Sequence, residues 1–197
     1  AIDFMSETPG KAGEPSPAVL ERTSWFFADA CLCGISALAL GTNAPVLLRE
    51  EAAQYPAGVA PWAKGAVRTG ATTFGSKQLC AVEKAIVANV AAVREWDSNG
   101  TNFGFNPRLG HTAGEFGHND FYAVPLAAAQ MRGRDGAFAL RGMVLVDEIR
   151  GRLAEVVSPK GYKIDHVLHG AIASAATFGA MMGATAEQIE SAIGMVV

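Results

Sequence analysis

The chain has 197 residues, 50% of them hydrophobic and 18% charged, with a mean hydropathy of +0.19, which predicts one globular domain with a sizeable core. The net charge of −3 and the pI near 5.8 argue against nucleic acid as a partner, because the 16 Lys and Arg form no basic cluster. We also expect no membrane partner, because no apolar run is long enough to span a bilayer and the N-terminus lacks a signal-peptide pattern.

Helical patterns follow one another along most of the chain. Ser16 and Pro17 begin the first long helix, which is predicted to end at Gly41. Further helices are predicted over 45–54, 76–95, 120–131, 137–156 and 167–182. The stretch 56–74 offers at most one short strand. Because no alternation of strands and helices occurs, we predict an all-α domain.

Capping residues set several of these boundaries. Ser76, Asp120 and Asp165 each stand where a side-chain oxygen would accept hydrogen bonds from the first turn of a helix. A capping box from Thr185 opens the last helix, which reaches Val197 with no stop signal. We therefore expect residues 1–197 to be one helical domain that is truncated at its C-terminal end.

The three cysteines are Cys31, Cys33 and Cys80. They are odd in number, and two of them lie only two positions apart on an apolar helical pattern. Free buried cysteine commonly behaves as a small hydrophobic residue. We therefore predict reduced core thiols rather than a metal or redox site.

The segment from Arg94 to Tyr122 shows no apolar periodicity and is interpreted as a long functional loop. Unstructured connections of more than about 12–15 residues in compact domains are usually binding loops or disordered linkers. Its six aromatic residues argue against disorder, because solvated linkers lack such apolar anchors. The loop also concentrates polar residues that can do chemistry: Asp97, Thr101, His111, His118 and Asp120.

Two histidines precede predicted helix starts, His118 before the helix at Asp120 and His166 before the helix at 167. The positive end of a helix dipole and its free N–H groups favour anions. Together with Asp97 and Thr101, these histidines are candidates to surround one carboxylate-bearing ligand. The alternative for each is a hydrogen-bonded structural histidine. His111 and His169 are weaker candidates.

Two other patterns have structural interpretations. Asn99-Gly100-Thr101 matches a glycosylation sequon, but Asn-Gly is also a strong turn signal, and we predict the turn. Asp147 with Arg150, and Glu148 with Arg152, have the spacing of helical ion pairs. We interpret both pairs as part of a solvated helix face.

Several ordered motifs resemble those of the 2-methylcitrate dehydratase (MmgE/PrpD) family. The string 96–101, WDSNGT, is similar to its D-[FY]-N-D-T signature, and 117–120, GHND, is similar to the following G-H-P-[SD] element. The matches continue with 147–153, DEIRGRL, similar to H-E-I-Q-G, and with 164–167, IDHV, similar to L-D-H-V. Gly100 departs from the signature, since the family usually has a second acid there.

The resemblance implies a mainly helical domain, completed by an α+β lid domain and by lysine and tyrosine site residues that lie beyond Val197. It implies a lyase that acts on a tricarboxylate, with no metal and no other cofactor, as a homodimer. Asp97, Thr101, His118 and His166 match active-site positions of the family. The compartment it implies is the cytoplasm of a bacterium or the mitochondrial matrix of a eukaryote.

The resemblance therefore implies a hydro-lyase that dehydrates 2-methylcitrate. Its catalytic residues would be His118, His166 and Asp97, with one histidine transferring the proton, and Thr101, Asn99 and Asp120 would bind substrate. Histidine suits this work, because its ordinary pKa lies near neutrality. Two alternatives stay open: cis-aconitate decarboxylation on the same fold, and a non-catalytic helical assembly module whose polar loop binds a partner.

Overall fold

The computed structural model describes residues 1–6, 14–58, 69–106, 108, 111–117 and 119–197, and only the backbone of 101–106 and 111–117. Over these ranges the chain is mainly helical, which confirms the predicted class. The helices are α1 (Ile2–Met5), α2 (Pro17–Ala39), α3 (Asn43–Ala53), α4 (Val82–Arg94), α5 (Ala123–Met131), α6 (Gly136–Val156), α7 (Val167–Met182) and α8 (Ala186–Val196). Short 3₁₀ helices precede α5 and α7, at Asn119–Tyr122 and Pro159–Tyr162.

Two helices begin with the N-caps that their sequences predict, and at a third, α7, the predicted Asp165 lies one residue before the N-cap. The Ser16 Oγ accepts a hydrogen bond from the N–H of Val19, the third residue of α2, at 3.3 Å. Thr185 and Gln188 form both hydrogen bonds of a capping box at the start of α8, at 3.3 and 2.9 Å. The Asp165 Oδ1 accepts from the first N–H of α7 at 3.0 Å. These local contacts satisfy N–H groups that have no partner inside the helix.

The predicted start of α4 at Ser76 is wrong. The Ser76 Oγ instead accepts from the N–H of Gln78 at 3.1 Å. The following residues form strand β2 (Leu79–Cys80), which pairs antiparallel with β1 (Ala71–Thr72). Because these residues hydrogen-bond to β1, the helix cannot begin until Val82. Asp120 likewise lies inside the Asn119–Tyr122 3₁₀ helix, and α5 begins three residues later than predicted.

The predicted long loop contains a β-hairpin, which corrects the interpretation of 94–122 as structureless. Strand β3 (Thr101–Asn106) pairs antiparallel with β4 (His111–Gly117), with an irregularity in register between Phe103 and Phe105. The glycines and this irregularity hide the alternation of apolar and polar residues that normally indicates strands. The hairpin packs against α6.

Small residues allow the helices to approach one another closely. A Cβ placed on Gly142 of α6 would lie 2.5 Å from the Met181 Sδ and 2.7 Å from the Pro125 Cβ. Three of the largest fully buried side chains are Tyr122, Met143 and Met181, from the segments that pack there. Tyr122, the last residue of the Asn119–Tyr122 3₁₀ helix, therefore lies inside this core.

The longest helix, α2, buries one narrow face of small residues, Thr23, Ala30, Gly34 and Ala37. It contacts α4, α6 and the Asn119–Tyr122 3₁₀ helix. Across the described ranges, no single helix is long and apolar enough to cross a membrane, and only α2 and α3 together, bent by 92°, meet the length and composition criteria.

Candidate functional site

Asn119 is a buried hydrogen-bonding centre that joins three segments of the chain. Its Nδ2 donates to the backbone oxygen of Phe26 at 2.7 Å and to the Asp29 Oδ2 at 2.8 Å, both on α2. Its Oδ1 accepts from the Asn99 Nδ2 at 2.7 Å. The Asp29 Oδ2 also accepts from the N–H of Gly100 at 3.1 Å. One carboxylate and one amide thus hold both ends of the hairpin against α2.

Asn99, a predicted substrate-binding residue, is 5% exposed, and its amide takes part in this network. Gly100 has a φ of +91°, a conformation that glycine adopts at little cost. The backbone bends at Gly100, and the predicted Asn-Gly turn stays a prediction. The family signature usually has an acid at position 100. In this chain the residue there is glycine, and its backbone N–H donates a hydrogen bond to Asp29.

Asp97, a predicted catalytic residue, lies in the turn that follows α4. Its side chain is 71% exposed, and its carboxylate forms an ion pair with Arg94, one turn earlier. Its φ is +49°, a left-handed conformation that is uncommon outside glycine, asparagine and aspartate. The turn holds this carboxylate at the surface, two residues before the buried Asn99.

The hairpin register brings the two ends of the predicted site motif together. Thr101, at the start of β3, is paired with Gly117, at the end of β4. In sequence, Gly117 is followed at once by His118. His118 itself lies outside the described residues, as do the side chains of Thr101 and His111. Their predicted roles therefore stay predictions.

Asp120, a predicted substrate-binding residue, is 5% exposed. Its Oδ1 makes no hydrogen bond with the described residues. Its charge interacts with that of Arg150 of α6, which is 3% exposed. The positive charge that interacts with Asp120 is therefore on α6. It is not the N-terminus of a helix that Asp120 caps.

Arg150 lies in a buried cluster on the inner face of α6. Its Nη1 lies 3.6 Å from the Asp147 Oδ1, and its guanidinium lies 4.6 Å from the centre of the Phe121 ring. The Tyr122 hydroxyl donates a hydrogen bond to the other oxygen of Asp147. The interpretation of Asp147 and Arg150 as a solvated pair is wrong, although the pair of Glu148 and Arg152 is exposed.

Burial sets the protonation behaviour of this cluster. It raises the pKa of the Asp147 carboxyl to about 6, while the Arg150 charge and the hydrogen bond from Tyr122 act in the opposite direction. Burial, reinforced by the Asp147 charge, also raises the pKa of the Tyr122 phenol. Tyr122 is therefore a neutral hydrogen-bond donor at physiological pH. Burial lowers the pKa of Arg150 from its very high ordinary value, and the carboxylates of Asp147 and Asp120 oppose this effect.

His166, a predicted catalytic residue, immediately precedes α7, and its side chain is 18% exposed. Its Nδ1 lies 3.2 Å from the Asp165 Oδ1, the same oxygen that caps the helix. A carboxylate at one ring nitrogen selects the tautomer and orients the ring. Asp165 thus links the position of His166 to the start of α7.

One turn into α7, Gly170 packs directly against the ring of Phe121. A Cβ at Gly170 would lie 2.0 Å from the Phe121 Cζ. Residues four apart share a helix face, so His166 and Gly170 lie on the same side of this helix. The glycine therefore brings the first turn of α7 against the 3₁₀ helix that carries Asp120.

Sequence reasoning missed three members of this arrangement: Asp29, Asn119 and Tyr122. One signal was available, because Asp29 is the only charged residue between positions 25 and 40. A lone charge in such an apolar helix needs a buried partner. The identity of that partner, ninety positions away, has no local signal.

Cys33 lies beside this network: in addition to burial, the Asp29 charge raises the pKa of its thiol and a hydrogen bond with Ser98 lowers it. Cys31, Cys33 and Cys80 are free thiols, two half-buried and one buried, and burial raises the pKa of each. Within the described ranges, no group of three or more His, Cys, Asp or Glu side chains is arranged to hold a metal ion.

A comparison with protein families matches residues 10–197 to the MmgE/PrpD N-terminal domain. The match spans nearly the whole chain, including the hairpin, the buried network and the start of α7. The chain belongs to the MmgE/PrpD family. Members of this family are generally lyases or dehydratases. In this MmgE/PrpD chain, the motif segments 96–101 and 117–120 are the two ends of one hairpin, held on α2 by Asp29 and Asn119.

Proposed function

We propose that this MmgE/PrpD protein is a hydro-lyase that dehydrates 2-methylcitrate to 2-methylaconitate. The reaction removes a proton from a carbon that bears a carboxylate, and hydroxide from the adjacent carbon. The electron pair of the broken C–H bond becomes the new C=C bond, and the hydroxide leaves as water after it gains a proton. A base, an acid and groups that hold the carboxylates are therefore required.

The observation that carries the proposal is the contact between Phe121 and Gly170. It packs the start of α7, where His166 lies, against the 3₁₀ helix that follows position 118 in sequence. Two histidines 48 positions apart in sequence thereby belong to segments that meet. We propose that a small tricarboxylate binds between these segments, where acid–base transfer requires a histidine within hydrogen-bond reach of it.

In this proposal, one of His118 and His166 transfers the proton, and Asp97 and Thr101 orient the substrate or its leaving hydroxyl. Asn99 and Asp120 contribute to substrate binding. The buried amide of Asn119 supports these roles, because it holds the Asn99 amide at 2.7 Å and ties both to α2. Preorganised polar groups of this kind need no rearrangement during the reaction.

The N-terminal end of α7 adds an anion-binding element through its helix dipole, although the N–H groups at 167–169 already have hydrogen-bond partners. The Asp165 carboxylate accepts a hydrogen bond from the N–H of Val167, and the Asp165 side chain is 67% exposed. The remaining partial positive charge of the helix end favours a substrate carboxylate near His166. Arg150 is not available for this role, because it is buried with Asp147 and Phe121.

The proposal is tested by product analysis of the full-length protein, incubated separately with 2-methylcitrate, citrate and cis-aconitate and followed by proton NMR. We expect the allylic methylene and methyl signals of 2-methylaconitate, whose C=C bond carries no hydrogen, to appear from 2-methylcitrate at a higher rate than any reaction of citrate. Itaconate and carbon dioxide from cis-aconitate, without dehydration of 2-methylcitrate, would replace the proposal with decarboxylation. No turnover of any of the three would overturn it in favour of a non-catalytic module.

A further inference from the structure

Two residues on one turn of α6, Asp147 and Arg150, interact with three consecutive residues of the 3₁₀ helix that precedes α5. The Arg150 guanidinium lies 4.6 Å from the centre of the Phe121 ring, and its charge interacts with that of Asp120. The Tyr122 hydroxyl donates to the Asp147 Oδ2, and the other oxygen of Asp147 lies 3.6 Å from the Arg150 Nη1. The 3₁₀ helix is therefore held from α6 through each of these three residues.

Arg150 is enclosed by these partners. Its side chain is 3% exposed, so its charge has little access to water. A buried guanidinium is stabilised where carboxylates supply the opposite charge and an aromatic ring packs on its planar face. Arg150 has both, since Asp147 and Asp120 supply the charges and Phe121 supplies the ring. The same contacts fix the direction of the Phe121 side chain.

The tip of the Phe121 ring meets α7. A Cβ on Gly170 would lie 2.0, 2.3 and 2.6 Å from the Phe121 Cζ, Cε1 and Cε2, so the end of the ring lies against the backbone of this glycine. Gly170 follows His166 by four residues, which places both on one side of the helix. One aromatic ring thus lies beneath Arg150 of α6 and contacts the first part of α7.

We propose that Arg150 is a positioning residue of the dehydration: through Phe121 it sets the 3₁₀ helix against the first turn of α7, beside His166. This inference rests on the proposed function, in which acid–base transfer takes place between these two segments. Misplacement of a reacting group by about 1 Å can lower a rate about a hundredfold. Arg150 contributes to the rate from α6, without a contact to the substrate.

The first test compares Arg150→Met with Arg152→Met in the full-length protein. Methionine fills the space with an unbranched side chain but carries no charge and no planar group. With whichever tricarboxylate the wild type turns over, we expect kcat to fall roughly 10–100-fold for Arg150→Met, while KM changes by less than about threefold. Arg152 is 71% exposed on the same helix, and its substitution should leave both constants unchanged. An unchanged kcat, or a change confined to KM, overturns the proposal.

A double variant separates positioning from stability. Arg150→Met leaves the carboxylates of Asp147 and Asp120 without their cation, so we expect the thermal midpoint to fall by roughly 5–10 °C. Addition of Asp147→Asn removes one of these charges, and its amide oxygen still accepts the hydrogen bond from Tyr122. The double variant should therefore regain at least half of the lost midpoint.

The kcat of the double variant should nevertheless stay low when it is measured at a temperature at which the protein is folded, because Phe121 still lacks the guanidinium. Recovery of kcat together with the midpoint would show that Arg150 acts on stability alone, and it overturns the proposal. If Arg150→Met does not fold by itself, the double variant carries the kinetic test.

Hydrogen exchange followed by mass spectrometry tests the same link without a substrate. In folded Arg150→Met, we expect the amides of 119–122 and 167–170 to exchange at least about tenfold faster than in the wild type. Those of α3 (Asn43–Ala53) are the internal reference and should keep their rate. Unchanged exchange at 167–170, or equally faster exchange in α3, overturns the link.

The exchange experiment also distinguishes this inference from the proposed function. If the wild type turns over none of the three tricarboxylates, the proposed function fails and Arg150 has no dehydration to support. Faster exchange confined to the two segments then still shows that Arg150 holds them together through Phe121. Turnover by the wild type with an unchanged kcat in Arg150→Met gives the opposite result, in which the reaction is correct and the positioning role is wrong.

Discussion

The Asn119 Nδ2 lies 2.8 Å from the Asp29 Oδ2, and this hydrogen bond joins residues that are 90 positions apart. Asn119 also accepts from Asn99 and donates to the backbone of Phe26, so a single amide makes three buried contacts. The contacts connect the hairpin that carries the family motifs to the longest helix. Because these partners are shielded from water, loss of the Asn119 amide would leave several polar groups without a hydrogen bond.

We therefore expect Asn119→Ala to lower the free energy of unfolding by about 2–4 kcal/mol, the range for breaking a buried polar network. Urea denaturation monitored by circular dichroism measures the change. Asn43→Ala removes the same side chain from an exposed position at the start of α3 and should cost less than about 0.5 kcal/mol. Equal effects of the two substitutions would show that the network adds nothing to stability.

Asp147 should make stability depend on pH in an unusual direction. Its pKa is raised from 3.8 to about 6 in the folded protein, so between these pH values the unfolded chain loses the proton first. Asp147 therefore stabilises the fold fully below pH of about 4, and this contribution is lost as the pH rises through about 6. At about 1.4 kcal/mol for each pKa unit, the loss approaches 3 kcal/mol.

The comparison that isolates this residue is wild type against Asp147→Asn, which cannot titrate. The stability of the wild type relative to the variant should fall by up to about 3 kcal/mol between pH 4 and 7, as measured by urea denaturation at each pH. A constant difference would contradict the raised pKa. Tyr122→Phe should move the titration of Asp147 to higher pH, because the hydrogen bond from Tyr122 lowers its pKa.

Gly170 should tolerate no side chain. The Cβ of Gly170→Ala would overlap the Phe121 ring, whose Cζ lies 2.0 Å from that position, so the ring must leave its place beside Arg150. We expect a loss of about 1–3 kcal/mol in the free energy of unfolding, as for other overpacked positions. In the full-length protein, kcat should fall as well, because the start of α7 would shift away from the Asn119–Tyr122 3₁₀ helix.

The matched control is Gly151→Ala in α6, where a Cβ meets no atom within 4 Å. Alanine there should stabilise the protein by up to about 1 kcal/mol, since glycine weakens a helix interior. Thermal unfolding of the two variants side by side gives opposite signs if the packing is as described. The same sign for both would contradict a specific role for the Gly170 contact.

His118→Ala and His166→Ala should each lower kcat of the full-length protein by roughly 10²–10⁴-fold, the usual effect of removing a positioned acid or base. Steady-state kinetics on 2-methylcitrate measures the loss. Val167→Ala changes an exposed residue beside His166 and should leave kcat within about threefold of wild type. If both histidine variants fold normally and turn over at near wild-type rates, neither transfers a proton in a rate-limiting step.

Sequence alone determined the helical character of this chain and most of its helix starts. Ser16 and Thr185 cap helices as predicted, because a cap is a hydrogen bond between residues three positions apart and leaves a local signature. The motifs also indicated the family, which the match over residues 10–197 shows. These features depend on neighbours in sequence, so they can be recognised without the fold.

Tertiary structure decided the features that depend on distant partners. The hairpin pairs Thr101 with Gly117, and this register has no local signal. The pairs Asp147–Arg150 and Glu148–Arg152 look alike in sequence, but one is buried and the other exposed, because only one lies on the side of α6 that meets Tyr122 and Phe121. The roles of Asp29 and Asn119 arise in the same way, since a buried polar group is defined by the partner that the fold brings to it.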